Sequence, residues 1–274
     1  MGDRGNPSKQ WLVAPGTELD VSSMPTDTTH GAPGPKDETN GASDELRERL
    51  TTLQEKLWAE NEQSLLVVLQ AMDAGGKDGT IRKVFEGVNP QGCRVTSFKV
   101  PTDEELEHDF LWRVHKATPR RGEIAIFNRS HYEDVLVVRV HDLVPESVWR
   151  PRYHAINEFE ANLTAASTRI VKFFLHISLE EQVERFQSRL DEPGKQWKFS
   201  LGDLDERKRW PDYQAAFSDA IAATSTEHAP WYVIPADRKW YRNFAVLTTL
   251  VETLESMDPR YPEPDDDLTG VVIK

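Results

Sequence analysis

The sequence is poor in cysteine, in long apolar runs and in net positive charge, and each deficit excludes a class of protein. The single cysteine, Cys93, excludes an internal disulfide and a cysteine-rich zinc site. No segment approaches the ~20 apolar residues of a membrane span, and the N-terminus lacks the apolar core of a signal peptide. We therefore expect a cytoplasmic protein with no membrane partner.

The charge is unevenly distributed along the 274 residues. A net charge of −13 argues against non-specific nucleic-acid binding. Residues 1–60 carry 11 acidic against 6 basic residues, and residues 252–274 carry 7 against 2. The middle of the chain is therefore close to neutral, which leaves room for a basic cleft that binds an anionic ligand.

Apolar runs that alternate with helical patterns predict the fold class. Leu65 to Leu69 is a short apolar run, typical of a strand that is buried on both faces. Further strands are predicted at 94–100, 123–127, 170–177 and 231–234. Helices are predicted between them, among them 148–166 and 240–257, with capping boxes at Thr102 to Glu105 (continuing through Val114) and at Ser178 to Glu181. This alternation favours an α/β fold, a three-layer α/β/α sandwich with a mainly parallel sheet.

The two ends differ in composition from the middle. Residues 1–42 hold 6 of the 15 glycines and 5 of the 17 prolines, which predicts an extended or partly disordered N-terminal arm. Trp11, Leu12 and Val13 are the residues expected to anchor it. Ser43 is the predicted N-cap of the first long helix, so we place one domain at 43–258 and a loose tail at 259–274.

A glycine-rich turn follows the first buried strand. Residues 71–80 have the sequence AMDAGGKDGT, and a helical pattern resumes after them. Strand, glycine-rich turn ending in Gly-Lys, and helix form the P-loop arrangement, in which backbone N–H groups and the lysine surround a phosphate. The standard pattern has Gly where this chain has Ala71, and Ser or Thr where it has Asp78. The predicted phosphate-binding residues are Ala74, Gly75, Gly76, Lys77, Asp78, Gly79 and Thr80.

The second buried strand ends in Asn128, where P-loop phosphotransferases usually carry a metal-binding acid. Asp73, Asp78 and Glu133 are the nearby carboxylates that can supply this charge. For Asp78, metal binding and helix-cap chemistry are equal alternatives, whereas the position of Asp73 inside the loop favours the metal. Arg129 follows the strand directly, where open α/β sheets bind ligands. We predict that it binds the transferring phosphoryl group, the alternative being an ion pair with a neighbouring carboxylate.

A basic segment lies later in the chain. Residues 185–209 carry seven Lys or Arg residues and five acidic residues. One interpretation is a solvated polar face. The other is a mobile flap over the phosphate site, which many kinases use to exclude water and to complete the active site.

Four stretches in combination resemble polyphosphate kinase family 2: AMDAGGKDGTI, GVNPQG, FKVPTDEELEHDFLWR and FNRSHYEDVLVVRVH. The variant with Asn-Arg-Ser-His-Tyr-Glu is similar to class III of that family. The similarity extends from about Leu46 to Met257. It implies a P-loop kinase fold that resembles thymidylate kinase, with a helical lid at about 185–212.

The same resemblance implies an activity and a set of site residues. The activity is reversible, Mg²⁺-dependent phosphoryl transfer from inorganic polyphosphate to AMP and ADP, giving ADP and ATP. Mn²⁺ is an alternative metal, guanine nucleotides are further candidate substrates, and a homo-oligomer (dimer or tetramer) is expected. Asp73 and Lys77 correspond to the catalytic pair of the loop and Arg129 to a catalytic arginine. The lid residues implied to bind polyphosphate are Arg185, Arg189, Lys195 and Lys198.

Acceptor selection is assigned to Asn128 and Glu133. Because the strand ends without a carboxylate, Asp73 and Glu133 are the predicted metal ligands, together with phosphate oxygens. Glu133 lies about one helical turn beyond the strand and can face the same crevice. Two other functions stay open: an ATP-dependent nucleoside monophosphate kinase, and a non-catalytic nucleotide-binding regulator that has lost the strand-end acid.

Overall fold

A computed structural model describes residues 6–269 and 271–273 of the chain. One six-stranded sheet has the spatial order β1-β6-β5-β2-β4-β3. All neighbouring strands pair in parallel except β1, which is antiparallel to β6. The strands are β1 Leu12–Val13, β2 Ser64–Gln70, β3 Cys93–Ser97, β4 Ile124–Asn128, β5 Thr168–His176 and β6 Trp231–Pro235.

Twelve α-helices and four short 3-10 segments connect the strands in the part of the chain that the structure describes. The helices are α1 Pro7–Gln10, α2 Lys36–Glu60, α3 Lys77–Val84, α4 Asp103–Leu106, α5 Trp112–His115, α6 Val137–Val140, α7 Glu146–Trp149, α8 Arg152–Ala165, α9 Leu179–Asp191, α10 Gly202–Lys208, α11 Trp210–Thr224 and α12 Lys239–Met257. The 3-10 segments are Val21–Ser23, Pro90–Gly92, His131–Asp134 and Pro193–Lys198.

The sheet separates two apolar cores, which confirms the predicted three-layer α/β/α sandwich. Alternate residues of β2 point to opposite faces: Leu65 and Val67 belong to the core under α2 and α12, and Leu66 belongs to the core under α8 and α11. Every residue of β2 is buried. A strand covered on both faces has no polar face, which is why it reads as an uninterrupted apolar run.

The N-terminal region departs from the prediction. The first long helix begins at Lys36 and not at Ser43, so residues 36–42 are helical and the predicted N-cap is wrong. The hydroxyl of Ser43 donates to the carbonyl of Thr39 at 2.7 Å, and both residues are buried. Packing of α2 along α12 outweighs the low helix propensity of these small polar residues.

Within residues 6–35, β1 pairs with the sheet edge at β6, α1 contacts α12 and the segment Val21–Ser23 contacts α11. Residues 1–5 of the predicted arm lie outside the described residues. Trp11 and Val13 are buried, and the Trp11 indole N–H donates to the Tyr241 hydroxyl at 2.8 Å. Leu12 pairs with Tyr232 across the β1–β6 ladder, but its side chain is exposed. The predicted anchoring by Trp11 and Val13 is confirmed. Within the described ranges, no helix is long and apolar enough to cross a membrane.

Two predicted helices are interrupted. The capping box of Thr102 and Glu105 is present, but α4 ends at Leu106, and α5 begins only at Trp112. The Asp109 carboxylate accepts the Leu111 amide N–H at 2.9 Å, a local bond that competes with continuation of the helix. The helix predicted at 148–166 is divided into α7 and α8 at Pro151, whose missing N–H interrupts helical hydrogen bonding.

Candidate active site

The glycine-rich turn between β2 and α3 curls tightly at the carboxyl edge of the sheet. Gly76 has φ +99°, and a Cβ atom there would lie 2.2 Å from Nη1 of Arg242. A Cβ atom on Gly75 would lie 2.4 Å from Cβ of Ala71. Glycine is therefore required at both positions. The turn leads into the N-terminus of α3 at Lys77, where the first N–H groups have no partner within the helix and suit an anion.

Two side chains of helix α9 donate hydrogen bonds to backbone carbonyls of this turn. The Gln182 side-chain amide donates to the Asp73 carbonyl at 2.9 Å, and the Arg185 guanidinium donates to the Ala74 carbonyl at 2.9 Å. Arg185 also donates to the Ala236 carbonyl at 2.5 Å, and its side chain is buried. The sequence analysis assigned Arg185 to a lid. It lies on α9 against the turn, and it also lines the cleft described below.

The ammonium of Lys77 is held inside the turn, where it donates to the Ala71 carbonyl at 2.9 Å. Burial is the main cause that lowers the pKa of Lys77 from 10.5 to about 8. The Arg129 guanidinium lowers the pKa further, while Asp73, Glu133 and Asp78 act against the shift. In the ligand-free protein, Lys77 is therefore charged at neutral pH but loses its proton in mildly alkaline solution.

This pKa leads to a testable pH dependence. The protonated lysine binds phosphate and the neutral amine does not, so kcat/KM for the phosphate donor should fall as the pH rises through about 8. The measurement is a pH profile of kcat/KM, compared with that of Lys77→Arg, whose guanidinium keeps its proton. If both profiles fall together, the titrating group is the substrate or another residue.

Arg129 bridges the turn and the segment after β4. Its guanidinium donates to the Asp73 carboxylate at 2.9 Å and to the Glu133 carboxylate at 3.0 Å. The Glu133 carboxylate raises the pKa of Arg129 above its ordinary value; burial acts against this rise and Asp73 adds to it. The guanidinium therefore keeps its charge at all working pH. The ion pairs expected as an alternative do exist. The side chain nevertheless stays 40% exposed and lines the cleft, so a phosphate can still reach it.

A hydrogen bond to Asp78 explains why an amide, and not a carboxylate, stands at position 128. The Asn128 amide nitrogen donates to the Asp78 carboxylate at 2.8 Å, and the Lys198 ammonium lies 3.6 Å from the other Asp78 oxygen. A carboxylate at position 128 would repel Asp78 at this distance unless one of them bound a proton or a cation. Asp78 thus links the turn to the strand end and to the segment Pro193–Lys198, in addition to its place in the first turn of α3.

A cleft of about 890 Å³ opens over the turn, with ten Lys or Arg side chains and three Asp side chains in its wall. All four predicted lid residues, Arg185, Arg189, Lys195 and Lys198, line it. Two further cations that the sequence analysis did not select, Lys239 and Arg242, line it from α12. They follow the carboxyl end of β6 and are spaced i, i+3 on one helix face, so the strand-end argument that selected Arg129 applies to them as well.

Arg242 is only 3% exposed, yet among the described residues no carboxylate lies within 4 Å of its guanidinium. Its only hydrogen-bond acceptor there is the side-chain oxygen of Asn243, at 2.8 Å. Burial first, and then Arg185, lower the pKa of Arg242 to about 9. A buried guanidinium without an acidic partner favours an anionic ligand in the cleft.

A second, small cavity of about 30 Å³ lies beside the first. Asp73 and Arg129 line both cavities, so this ion pair forms the boundary between them. The wall of the small cavity also contains apolar side chains, the acids Glu133 and Glu206, and the neutral polar side chain of Tyr213. Thr80, a predicted phosphate-binding residue, lines neither, because its buried hydroxyl donates to the Gly76 carbonyl at 3.1 Å.

The two predicted metal ligands are oriented to the same boundary. Asp73 and Glu133 both bond the Arg129 guanidinium, and both line the small cavity, while Asp73 lines the cleft as well. Across the described ranges, no group of three or more His, Cys, Asp or Glu side chains is arranged to hold a metal. Two carboxylates nevertheless fit Mg²⁺, which proteins commonly hold with one or two carboxylates and the oxygens of a bound phosphate.

Comparison with known proteins gives a consistent result. The family model described as polyphosphate kinase 2 matches residues 35–262. The chain is 55% identical to the AMP/ADP-polyphosphate phosphotransferase of Meiothermus ruber, over 97% of this chain and 100% of that protein. It is 46% identical to the ADP-polyphosphate phosphotransferase of Rhodopseudomonas palustris, over 93% and 92%. The crystal structure of polyphosphate kinase 2 from Arthrobacter aurescens superposes with a TM-score of 0.93 at 43% identity, covering 97% of this chain and 94% of that one.

Proposed function

The chain belongs to the polyphosphate kinase 2 family, and on this basis we propose that it transfers phosphoryl groups from inorganic polyphosphate to AMP and ADP, giving ADP and ATP. The single observation that carries the proposal is the cleft of about 890 Å³ with ten basic side chains over a P-loop. A polyanion of repeated phosphates requires many cationic contacts along a groove, and a nucleoside triphosphate requires fewer.

The geometry supports a direct transfer. The terminal phosphoryl group of polyphosphate would lie over the N-terminus of α3, within reach of Lys77 and Arg129. An oxygen of the acceptor's terminal phosphate forms a bond to phosphorus as the bond to the next phosphate of the chain breaks. Polyphosphate becomes one unit shorter and the nucleotide gains one phosphate. Lys77 and Arg129 stabilise the charge that develops on the transferring group.

Asp73 and Glu133 would hold Mg²⁺ or Mn²⁺ together with phosphate oxygens at the boundary between the cavities. When bound, the metal neutralises phosphate charge and orients the groups that react. Glu133 otherwise repels an acceptor phosphate, so a cation beside it suits acceptors with one phosphate or with two. Asn128 adds no negative charge of its own at the strand end, where its amide bonds the Asp78 carboxylate. Use of guanine nucleotides, a homo-oligomeric state and a cytoplasmic location stay predictions.

One experiment tests the proposed function. Purified protein with Mg²⁺, long-chain polyphosphate and AMP should form ADP first and then ATP, and omission of polyphosphate should abolish both. A parallel reaction replaces polyphosphate with ATP as the donor. Faster transfer from ATP would indicate a conventional nucleoside monophosphate kinase, and nucleotide binding without turnover would indicate a regulator.

The lid segment Pro193–Lys198 should affect the donor more than the acceptor. Lys195 and Lys198 line the cleft, and their ammonium groups are only partly engaged by Glu192 and Asp78. Lys195→Ala combined with Lys198→Ala should raise KM for long polyphosphate about tenfold with little change in KM for AMP. In the wild type, increasing ionic strength should weaken the binding of polyphosphate in the same way.

The matched control for this double variant is Lys208→Ala. Lys208 lies on α10, is exposed, pairs with Asp205 and lies outside the cleft, so its removal should leave both KM values unchanged. Equal effects of the double variant on the two substrates would contradict a polyphosphate-binding role and would make the segment a general structural element.

A further inference from the structure

A fully buried ion pair lies behind the active site, on the α8 side of the sheet. The Lys172 ammonium on β5 and the Glu160 carboxylate on α8 are 2.5 Å apart, and both side chains are fully buried. Lys172 also donates to the Tyr132 hydroxyl at 2.9 Å and to the Thr224 carbonyl at the end of α11 at 2.8 Å. Neither Lys172 nor Glu160 lines either of the two cavities at the site.

This ion pair is attached to the strand-end segment, which we define as residues 129–134. Within that segment, the Tyr132 hydroxyl donates to the Glu160 carboxylate at 2.9 Å, and Nε2 of His131 lies 3.3 Å from the same oxygen. Tyr132 and His131 are fully buried. The inner face of the segment is therefore bonded to Glu160 and Lys172.

The outer face of the same segment carries the active-site groups Arg129 and Glu133, which bond each other across the turn. Arg129 has φ +60°, a conformation that is unfavourable for a residue with a side chain. Residues His131–Asp134 form a single 3-10 turn, which has little stability of its own. Further bonds to the segment run from the Gln70 side-chain amide to the Ser130 hydroxyl at 3.1 Å and from the Arg152 guanidinium to the Asp134 carbonyl at 2.9 Å.

A buried ion pair contributes little net stability to a core, because the desolvation of the two charges offsets their attraction. Apolar residues of similar volume often stabilise a core equally well. The pair is useful where it holds specific partners in one geometry. Here Glu160 of α8 and Lys172 of β5 both bond Tyr132 of one turn, and Lys172 is itself bonded to the end of α11. That turn is the part of the chain that carries Glu133 and follows Arg129.

We propose that Glu160 and Lys172 are positioning residues for phosphoryl transfer: through Tyr132 and His131 they fix the strand-end segment so that Arg129 and Glu133 meet the reacting phosphate. The inference rests on the proposed function and deepens it. It predicts that the ion pair contributes to turnover, although it does not touch substrate, and that apolar replacement of the pair lowers turnover in a protein that still folds.

Two variants test this. The first replaces the pair by apolar residues, Lys172→Met with Glu160→Leu, which removes both charges together and should keep the fold, with a lower thermal midpoint because the Tyr132 hydroxyl and the Thr224 carbonyl lose buried partners. The second, Tyr132→Phe, retains the ion pair and removes only the hydroxyl that connects it to the segment. Each should lower kcat about 10- to 100-fold with KM for polyphosphate unchanged, because a displacement of about 1 Å in catalytic groups has an effect of this size. Amide hydrogen exchange within 129–134 should become faster in both.

Matched controls distinguish positioning from a general effect on the fold. Tyr153→Phe removes a buried hydroxyl from α8, the helix that carries Glu160, and Arg94→Met with Glu123→Leu removes an ion pair at the amino end of β4. Both controls should leave kcat unchanged. Should either test variant fail to fold, the other decides.

The outcomes separate the inference from the function on which it rests. A wild-type protein without turnover on AMP, ADP and polyphosphate would overturn the proposed function, and exchange at 129–134, which needs no turnover, would still decide the positioning role. An active wild type with test variants within about twofold in kcat, and with unchanged exchange at 129–134, would overturn the inference.

Discussion

Lys77→Ala is expected to lower kcat for phosphoryl transfer by about 10³-fold or more while the protein stays folded. The lysine is the first residue of α3, and its ammonium lies inside the turn that curls around the phosphate. The variant removes a positive charge from the transition state and only one hydrogen bond, to the Ala71 carbonyl, from the fold. Steady-state kinetics with AMP and polyphosphate, together with a thermal midpoint, measure both effects.

The matched control is Lys83→Ala, on the same helix. Lys83 is exposed, pairs with Glu86 and does not line the cleft, so its removal should leave kcat unchanged. Near wild-type turnover in Lys77→Ala would show that Lys77 is not the residue that stabilises the transferring phosphoryl group.

Arg129→Ala should lower kcat by a similar factor of about 10³. Two effects combine: the cation that meets the transferring group is lost, and the carboxylates of Asp73 and Glu133 are left facing each other without the guanidinium that now bonds both. Like charges in that arrangement repel each other. Arg129→Lys should recover only part of the activity, because an ammonium cannot donate in the planar, forked geometry of a guanidinium.

Arg150→Ala is the control for this prediction. Arg150 also pairs with a glutamate four residues away, Glu146, but both side chains are exposed and lie outside the cleft. Its loss should change neither kcat nor KM. Full recovery of activity by Arg129→Lys would mean that charge alone matters at this position, and unchanged activity in Arg129→Ala would remove Arg129 from the mechanism.

Some of the site could be predicted because it depends on local sequence. The buried strand and the tight turn are close together in the sequence, with Leu65 to Leu69 in the strand and the glycines at 75 and 76 in the turn. They can therefore be recognised without knowledge of any distant residue. Arg129 could be selected because the carboxyl ends of parallel strands meet at one edge of a sheet. The structure confirms that Arg129 and the turn lie together, with Arg129 bonded to Asp73.

Other features depend on contacts between residues far apart in the chain. The start of α2 at Lys36 depends on packing against α12, and the buried position of Arg185 depends on its bonds to carbonyls at 74 and 236. The role of Asn128 becomes intelligible only when Asp78 is found 2.8 Å from it. Lys239 and Arg242 enter the cleft because β6 and α12 pass beside the turn, which a composition count of residues 185–209 does not reveal.

The sequence by itself determined the order of strands and helices, the phosphate turn and the family resemblance, because apolar periodicity, glycine conformation and short motifs act over a few neighbouring residues. The tertiary structure alone decided which charges face the cleft and which are used inside the fold. Lys172 and Arg129 are both basic residues in the sequence, yet the first is buried in an ion pair with Glu160 and lines neither cavity, whereas the second lines the cleft. The physical reason is that the environment of a charge, its burial and its partners, is set by segments that the chain brings together only when it folds.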